Sequence, residues 1–184
     1  MPIYTKKGDK GKTSLRSGRR IWKSALRVDT YGTTDEMNAY VGVIASDLGE
    51  NAKSWKKYLR DILLKVQFDM FYVGAYLSNP EDPQVPEHFA KRTKYFEKQI
   101  DKMTEKMPPL SNFILPSGGP IGARLQYART LSRRAERRLV ALVQKEEVDD
   151  SIIAYVNRLS DLFFTMSRYA NFKEKKKEII WKPK

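Results

Sequence analysis

The sequence contains no cysteine, and its only histidine is His88. Without cysteine the chain can form no disulfide, no thiolate metal centre and no cysteine nucleophile. One histidine is too few for a histidine-rich metal site. These absences exclude thiol enzymes and several classes of metalloenzyme.

The sequence also has no long apolar segment. No stretch approaches the roughly 18 consecutive apolar residues that a membrane-spanning helix requires. The first residues contain no apolar core of the kind found in secretory signals. Combined with the absence of cysteine, these features lead us to expect a cytoplasmic protein with no membrane partner.

Acidic residues are scarce relative to basic ones. The 184 residues, enough for one domain with a sizeable core, include 35 Lys and Arg but only 22 Asp and Glu, a formal charge of +13. Residues 1–27 hold nine basic residues and one acid, and residues 123–138 hold six arginines and one acid. This excess fits a nucleic acid or a polyanionic small molecule. Base-stacking aromatics are not interleaved with either cluster, which weakens the nucleic-acid interpretation.

The basic segment Tyr4–Ser14 has the composition of a polyphosphate site. It combines two glycines, which let backbone approach a ligand closely, with lysines and hydroxyl side chains. It is not a Walker A loop, because its glycines are three apart and no strand–helix unit surrounds them. The alternative is a basic terminus with a tight turn at Gly8-Asp9.

Apolar residues recur almost everywhere at helical spacing, and almost nowhere with the alternation of a strand. Thr33, with Glu36 three residues later, has the pattern of a capping box and predicts a helix start. We predict five helices and an all-α, five-helix antiparallel bundle, with the helices at 33–49, 54–77, 87–107, 121–145 and 149–173.

Two proline-containing segments, 78–86 and 110–120, predict loops between these helices. Ile179, Ile180 and Trp181 indicate that the C-terminal tail docks on the bundle. We therefore expect a single domain, divided into a basic N-terminal segment (1–30), the bundle (31–173) and a tail (174–184).

Polar residues on the last two predicted helices are candidates for chemistry. Arg129, Arg133 and Arg137 recur every four residues, which stacks them near one helix face and suits phosphate oxygens. The alternative is a solvated basic face. Asn157 and Asp161 lie one turn apart among apolar residues, as either a ligand-binding pair or a buried polar lock between helices.

Two further residues have two interpretations each. Asp35 lies in the first turn of its predicted helix, where the dipole favours an acid, but it could instead pair with an arginine of the fourth helix. Phe113 would ordinarily belong to the core. On a loop rich in proline and glycine, however, it could act as an apolar wedge against a flat ligand.

Together these segments resemble the PduO-type ATP:cob(I)alamin adenosyltransferases. The resemblance covers nearly the whole chain and is carried by five motifs in the family's order and spacing: Tyr4-Thr5-Lys6-x-Gly8-Asp9-Lys10-Gly11-x-Thr13-Ser14, Tyr31-Gly32-Thr33-x-Asp35-Glu36, Phe113-Ile114-Leu115-Pro116, Ala128-Arg129-Thr130-x-x-Arg133-Arg134-Ala135-Glu136-Arg137 and Asn157-Arg158-Leu159-Ser160-Asp161. It implies a homotrimer that holds ATP between subunits, with Mg²⁺ on the triphosphate and reduced cobalamin as the second substrate.

The resemblance also assigns roles to individual residues. It implies catalytic roles for Arg133, Arg129, Asp35 and Phe113. Phe113 would displace the lower axial ligand of cobalt, and an Asp35–Arg129 bridge would shape the corrinoid side, to which Asp161 also belongs. The residues expected to bind ATP are Thr5, Lys6, Lys7, Gly8, Thr13, Ser14, Lys23, Arg133, Arg134, Glu136, Arg137 and Asn157.

The sequence departs from the family pattern at three places near the implied pocket. Ser117 replaces a glycine after the phenylalanine motif, Gln126 stands where histidine is common, and residues 15–19 differ from the usual run. Two other hypotheses stay open on the sequence alone: a nucleic-acid-binding bundle, motivated by charge, and a trimer that binds ATP without catalysis.

Overall fold

The computed structural model describes residues 3–79 and 85–183, and the five predicted helices are confirmed. They are α1 (Leu26–Leu48), α2 (Ser54–Ser78), α3 (Val85–Thr104), α4 (Pro120–Val143) and α5 (Asp150–Lys173). A small antiparallel hairpin precedes them, made of β1 (Lys12–Ser14) and β2 (Arg20–Trp22).

Helix α5 lies at the centre of the arrangement. It packs along α4 and α3, while α1 packs between α2 and α4. Short connections join α1 to α2 and α4 to α5, so each of these pairs runs antiparallel. From residue 165 to residue 171 every side chain of α5 is buried, whereas a helix on the outside of a bundle would be exposed along one face.

The predicted apolar stripes form the core. On α4 the stripe from Leu125 to Leu142 is buried throughout, and on α2 the apolar residues of the inward face are buried: Leu59, Ile62, Leu63, Val66, Met70, Val73 and Leu77. Rings of Phe89 and Phe96 from α3 pack on Tyr155 of α5, with centroids 5.2 and 5.7 Å away. Helical periodicity in the sequence therefore located the inward faces correctly.

The predicted start of the first helix is wrong. Helix α1 begins at Leu26 rather than near Thr33, so Thr33 and Glu36 do not form an N-terminal capping box. The hydroxyl of Thr33 instead donates to the carbonyl oxygen of Asp29 inside the helix, at 2.7 Å. Packing explains the extension, because buried Arg27 donates to the carbonyl oxygen of Leu77 and also pairs with Glu146 at 2.7 Å.

The other predicted bounds differ by a few residues. The third helix starts at Val85 and ends at Thr104, three residues before the predicted end at 107. The proline-containing loop predicted at 78–86 lies partly outside the described residues. The N-terminal hairpin was not predicted, because three-residue strands are too short to show alternation.

The predicted docking of the C-terminal tail is confirmed. Ile180 pairs with Ile114 in an antiparallel bridge, which places the tail against the loop between α3 and α4. The backbone N–H of Leu115 donates to the carbonyl oxygen of Ile179 at 2.8 Å. The loop that carries Phe113 is therefore held between the bundle and the tail.

A buried carboxylate joins three helices at the other side of the bundle. Asp69 of α2 is fully buried and accepts hydrogen bonds from Tyr155 of α5 (3.0 Å) and Arg92 of α3 (2.9 Å to Nε). His88, in the first turn of α3, lies 2.8 Å from the same carboxylate. Burial raises the pKa of Asp69, while the hydrogen bond with His88 and the charge of Arg92 oppose that rise.

We predict that Asp69→Ala lowers the free energy of unfolding by about 3–5 kcal/mol, because three donors lose their buried acceptor. Chemical denaturation at neutral pH measures this loss. Asp61→Ala on the same helix is the control, since its exposed pair with Lys57 (2.6 Å) contributes less than about 1 kcal/mol. Equal losses in the two variants would contradict the role of Asp69.

Candidate active site

The N-terminal segment folds back on the hairpin and forms a small basic loop. Successive turns close the backbone between residues 6 and 11, with N–H to O distances of 3.4 and 3.2 Å. Within the described chain, the backbone N–H groups of Lys7 and Gly8 donate to no protein acceptor. Free N–H groups on a turn are the elements of an anion-binding nest.

The hairpin brings Lys23 to this loop. A Cβ added at Gly8 would lie 3.2 Å from Lys23 Nζ, so glycine leaves the space that the lysine needs. The backbone N–H of Lys23 donates to the carbonyl oxygen of Gly11 at 2.9 Å, and Arg20 donates to the carbonyl oxygen of Lys7. The structure thus places Lys23 beside the predicted polyphosphate segment, although Lys23 lies fifteen residues after Gly8 in the sequence.

The other N-terminal candidates surround the same loop. Thr5, Lys6 and Lys7 are exposed on it, and Thr13 and Ser14 lie in β1, paired with Ile21 and Arg20. Gly11 has a φ of +78°, and the ring of Trp22 lies against it, 3.4 Å from where a Cβ would stand. This contact fixes the loop on the hairpin.

Helix α4 presents a second basic surface. Arg133 and Arg137 are exposed, and neither has a carboxylate partner among the described residues. Arg129 is half-buried, and its Nε donates to Gln126 Oε1 at 2.9 Å. Desolvation, together with the charge of Arg133, lowers the pKa of Arg129. Like charges held close and unneutralised create a local positive potential that an anion would relieve.

Three other arginines of α4 are already paired with α1. Arg124 contacts Asp47 (2.8 Å), Arg134 contacts Glu36 (2.5 Å) and Arg138 contacts Asp29 (3.0 Å). Arg134, which we predicted to bind ATP, is thus engaged with α1 in this chain. The arginines of α4 therefore divide into a set that ties the helix to α1 and a set that lacks a counter-ion.

Helix α5 adds a polar pair beside the second set. Asn157 Nδ2 donates to Glu136 Oε1 at 2.5 Å, so these two predicted ATP residues are in contact. Of the two interpretations of Asn157 and Asp161, the buried polar lock between helices is excluded, because both side chains are exposed. Asp161 instead contacts Arg158, which also bonds Glu97 of α3 at 3.1 Å. The apolar spacing on α5 left a buried position open for these two residues, although they lie at the edge of the apolar stripe.

Phe113 stands out on the loop between α3 and α4, with 79% of its surface exposed. Its backbone carbonyl oxygen accepts from the N–H of Trp181 at 2.8 Å, and its ring meets the Trp181 ring edge-on at 6.3 Å. The structure therefore excludes the core interpretation of Phe113 within one chain. An exposed aromatic ring on an anchored loop is available to contact a ligand.

Asp35 lies on α1, exposed at the edge of a groove between α1 and α2. The groove has a volume of about 430 Å³ and is lined by Tyr31, Gly32, Thr34, Asp35, Asn38, Met70, Phe71, Gly74 and Ala75. Within the described chain Asp35 makes no ion pair, and Arg129 bonds Gln126 rather than Asp35. The Asp35–Arg129 bridge implied by the resemblance is therefore absent from the single chain.

Sequence reasoning missed two buried polar side chains of this region. Asn38 is buried in the groove, and its Oδ1 has no hydrogen-bond partner among the described residues. Gln126 is buried and holds Arg129, although the sequence marked it only as a departure from the family. A lone amide within an apolar stripe is the signal that could have directed attention to both.

Two further observations concern metals and membranes. Within residues 3–79 and 85–183, no three His, Cys, Asp or Glu side chains converge as a protein metal site would need. None of the helices in this part of the chain is long and apolar enough to span a bilayer.

The sequence matches the family model described as cobalamin adenosyltransferase over residues 3–170. The corrinoid adenosyltransferase of Bacillus subtilis is 39% identical over 171 residues, which cover 93% of this chain and 87% of that protein. Corrinoid adenosyltransferase MMAB of Homo sapiens is 39% identical over 186 residues, covering 97% of this chain and 72% of that protein.

A solved structure shows the same likeness in three dimensions. It is a phenylalanine-to-alanine variant of the PduO-type ATP:corrinoid adenosyltransferase from Lactobacillus reuteri, complexed with cobalamin and ATP. It is 34% identical, covers 99% of this chain and 100% of that one, and superposes with a TM-score of 0.89. By sequence and by fold, the chain belongs to the cobalamin adenosyltransferase family.

Proposed function

We propose that this protein is an ATP:corrinoid adenosyltransferase, which transfers the 5′-deoxyadenosyl group of ATP to the cobalt of reduced cobalamin. The observation that carries the proposal is the pair of exposed arginines, Arg133 and Arg137. They have no counter-ion within residues 3–79 and 85–183, and they lie on α4 beside Glu136 and its partner Asn157. Unpaired guanidinium groups next to hydrogen-bonding side chains suit a nucleoside polyphosphate, which carries charge at one end and polar atoms at the other.

In the reaction, the electron pair of Co(I) attacks C5′ of ATP. A Co–C5′ bond forms as the C5′–O bond breaks, and triphosphate leaves with the electron pair of that bond. The substrate supplies the nucleophile, so the protein contributes alignment of the two substrates and stabilisation of the leaving group. Arg133, Arg137 and Lys23 would stabilise the charge that develops on triphosphate.

The N-terminal loop supplies the second half of the triphosphate site. The free N–H groups of Lys7 and Gly8 and the ammonium group of Lys23 would contact phosphate oxygens, with Thr5 and Lys6 beside them. Thr13 and Ser14 offer hydroxyls at the base of the hairpin. Asn157 would hold the nucleoside while Glu136 fixes the orientation of its amide.

Mg²⁺ would arrive on the phosphate oxygens of ATP, where this ion usually binds while keeping several waters. It would neutralise part of the charge on the leaving triphosphate. Glu136 and the hydroxyls of Thr13 and Ser14 would contact those waters.

Phe113 would act on the corrinoid side. An exposed ring held on an anchored loop could occupy the lower face of the corrin and displace the axial ligand. Cobalt without that electron donor is more easily reduced from Co(II) to Co(I) by a one-electron reductant. Asp161, exposed one turn after Asn157 on α5, would border the same side.

A homotrimer would complete the site. Phe68 and Phe71 of α2 are 70% and 73% exposed. Exposing this apolar surface to water costs free energy, and burial against a second copy would remove that cost. Asp35 and Arg129, which form no ion pair with each other within one chain, could meet across such an interface. In that arrangement the N-terminal loop and the arginines of α4 would come from neighbouring subunits.

An absorbance assay tests the proposed reaction directly. The protein is incubated with ATP, Mg²⁺ and chemically reduced cobalamin, and formation of adenosylcobalamin and triphosphate is followed. Stoichiometric appearance of both products supports the proposal. Binding of ATP with no product would instead identify a non-catalytic ATP-binding protein.

Arg133→Ala should raise the KM for ATP and lower kcat, reducing kcat/KM by about 10- to 100-fold, because a charge-assisted bond to triphosphate is lost. Steady-state kinetics with pre-reduced cobalamin measure the change. Arg138→Ala is the matched control, since that arginine is paired with Asp29 and should change kcat/KM by less than about threefold. Unchanged ATP kinetics in Arg133→Ala would remove this residue from the triphosphate site.

Phe113→Ala should leave the KM for ATP unchanged but reduce turnover from Co(II) by at least about tenfold, because the lower ligand is no longer displaced. Initial rates starting from Co(II) are compared with rates starting from Co(I). Leu110→Ala, on the same loop and also exposed, is the control and should keep both rates. Wild-type turnover from Co(II) in Phe113→Ala would reject the wedge.

Subunit mixing tests whether the two halves of the ATP site come from different copies. Lys23→Ala and Arg133→Ala should each be impaired alone. In randomly mixed trimers about one quarter of intersubunit sites combine an unaltered loop with unaltered arginines, so activity should reappear. If both halves belong to the same subunit, mixing restores no activity.

A further inference from the structure

The C-terminal tail forms a short antiparallel pairing with the loop that carries Phe113. The N–H of Trp181 donates to the carbonyl oxygen of Phe113 at 2.8 Å, and the N–H of Leu115 donates to Ile179 at the same distance. These two hydrogen bonds, one on each side of the Ile114–Ile180 bridge, fix the register between loop and tail. A given tail residue therefore lies opposite a given loop residue.

Side chains of α5 anchor both the loop and the tail. Arg168, buried, donates from Nη2 to the carbonyl oxygen of Pro108 at 3.0 Å and from Nε to Glu178 of the tail at 2.9 Å. One guanidinium thus joins the start of the loop to the tail. Because it is buried and charge-paired, this link is costly to break.

The far end of the loop has its own anchor. Asn171 is 2% exposed, accepts from the N–H of Gly119 at 3.0 Å and donates to the carbonyl oxygen of Ser117 at 3.1 Å. Gly118 has a φ of +120°, and a Cβ there would lie 2.2 Å from Asn171 Oδ1, so glycine is required. The loop is therefore fixed at both ends, and its exposed centre depends on the tail.

The side chain of Trp181 in the tail contacts the ring of Phe113. The rings of Phe113 and Trp181 are 6.3 Å apart with an interplanar angle of 78°, an edge-to-face arrangement. Among the described residues, Trp181 is the one aromatic side chain whose ring contacts Phe113. Since the Phe113 ring is otherwise mostly exposed, Trp181 supports one side and limits rotation of the ring.

We propose that Trp181 is a positioning residue that holds the Phe113 ring in the orientation needed to displace the lower ligand of cobalt. This inference rests on the proposed wedge role of Phe113. Trp181 acts through Phe113, so its removal should affect the step that needs the wedge, reduction of Co(II), and spare the adenosyl transfer from Co(I). It should also leave ATP binding unchanged.

The test compares Trp181→Ala with Lys182→Ala, the next residue of the same tail. We expect Trp181→Ala to lower turnover from Co(II) by about tenfold and to change turnover from pre-reduced Co(I) by less than about twofold. The electron paramagnetic resonance signal of four-coordinate Co(II) with ATP bound should fall in proportion. Trp181→Phe should retain most of the turnover from Co(II) and most of the four-coordinate Co(II) signal, because it keeps an aromatic edge contact. Lys182→Ala should match the wild type.

A double variant separates this inference from the proposed function. If Trp181 acts through Phe113, adding Trp181→Ala to Phe113→Ala causes no further loss of turnover from Co(II). An additive loss of turnover in the double variant would overturn the positioning role. So would equal losses of turnover from Co(II) and from Co(I) in Trp181→Ala. If Phe113→Ala loses Co(II) turnover while Trp181→Ala does not, this inference fails and the wedge survives. Full Co(II) turnover in Phe113→Ala would remove the wedge itself.

The melting temperature of each variant shows whether the bundle is intact. Should Trp181→Ala lose the bundle fold, Trp181→Leu keeps apolar volume at the position and removes only the ring. In Trp181→Leu, a selective loss of turnover from Co(II) supports the proposal, and wild-type turnover from Co(II) overturns it.

Discussion

The burial of α5 between α4 and α3 is the constraint on which the rest of the molecule depends. Its residues from 165 to 171 are buried at every position, so the helix cannot shift without opening the core. The same helix carries Asn157 toward its N-terminal end and Arg168 and Asn171 toward its C-terminal end. A single rigid element therefore sets the positions of the proposed ATP contacts and of the loop that bears Phe113.

Uncompensated positive charge is the second organising feature. Acids of α1 neutralise Arg124, Arg134 and Arg138 of helix α4, whereas Arg133 and Arg137 have no carboxylate partner in the part of the chain that the structure describes. Repulsion among neighbouring arginines lowers the stability of the free protein slightly, and a bound polyphosphate would relieve it. This division between structural and available arginines is what distinguishes a prepared anion site from a generally basic surface.

Some of this arrangement was predictable from local pattern. Apolar spacing located the buried faces of α2 and α4 because a helix repeats every 3.6 residues whatever surrounds it. The start of α1 was misplaced because packing of Arg27 extends the helix beyond its apparent cap. A buried position for Asn157 stayed open on the sequence, because spacing cannot tell the edge of a stripe from its centre. Asp69 gave no sequence signal, since its partners lie on two other helices.

The sequence by itself determined the helical class, the inward faces, the two basic clusters and the family motifs, because each depends on residue types at short separations. Only the tertiary structure decided which arginines remain unpaired, that Lys23 lies beside Gly8, that Glu136 meets Asn157, and that Trp181 supports Phe113. These are contacts between elements distant along the chain. They follow from helix packing and hairpin register, which local periodicity does not encode.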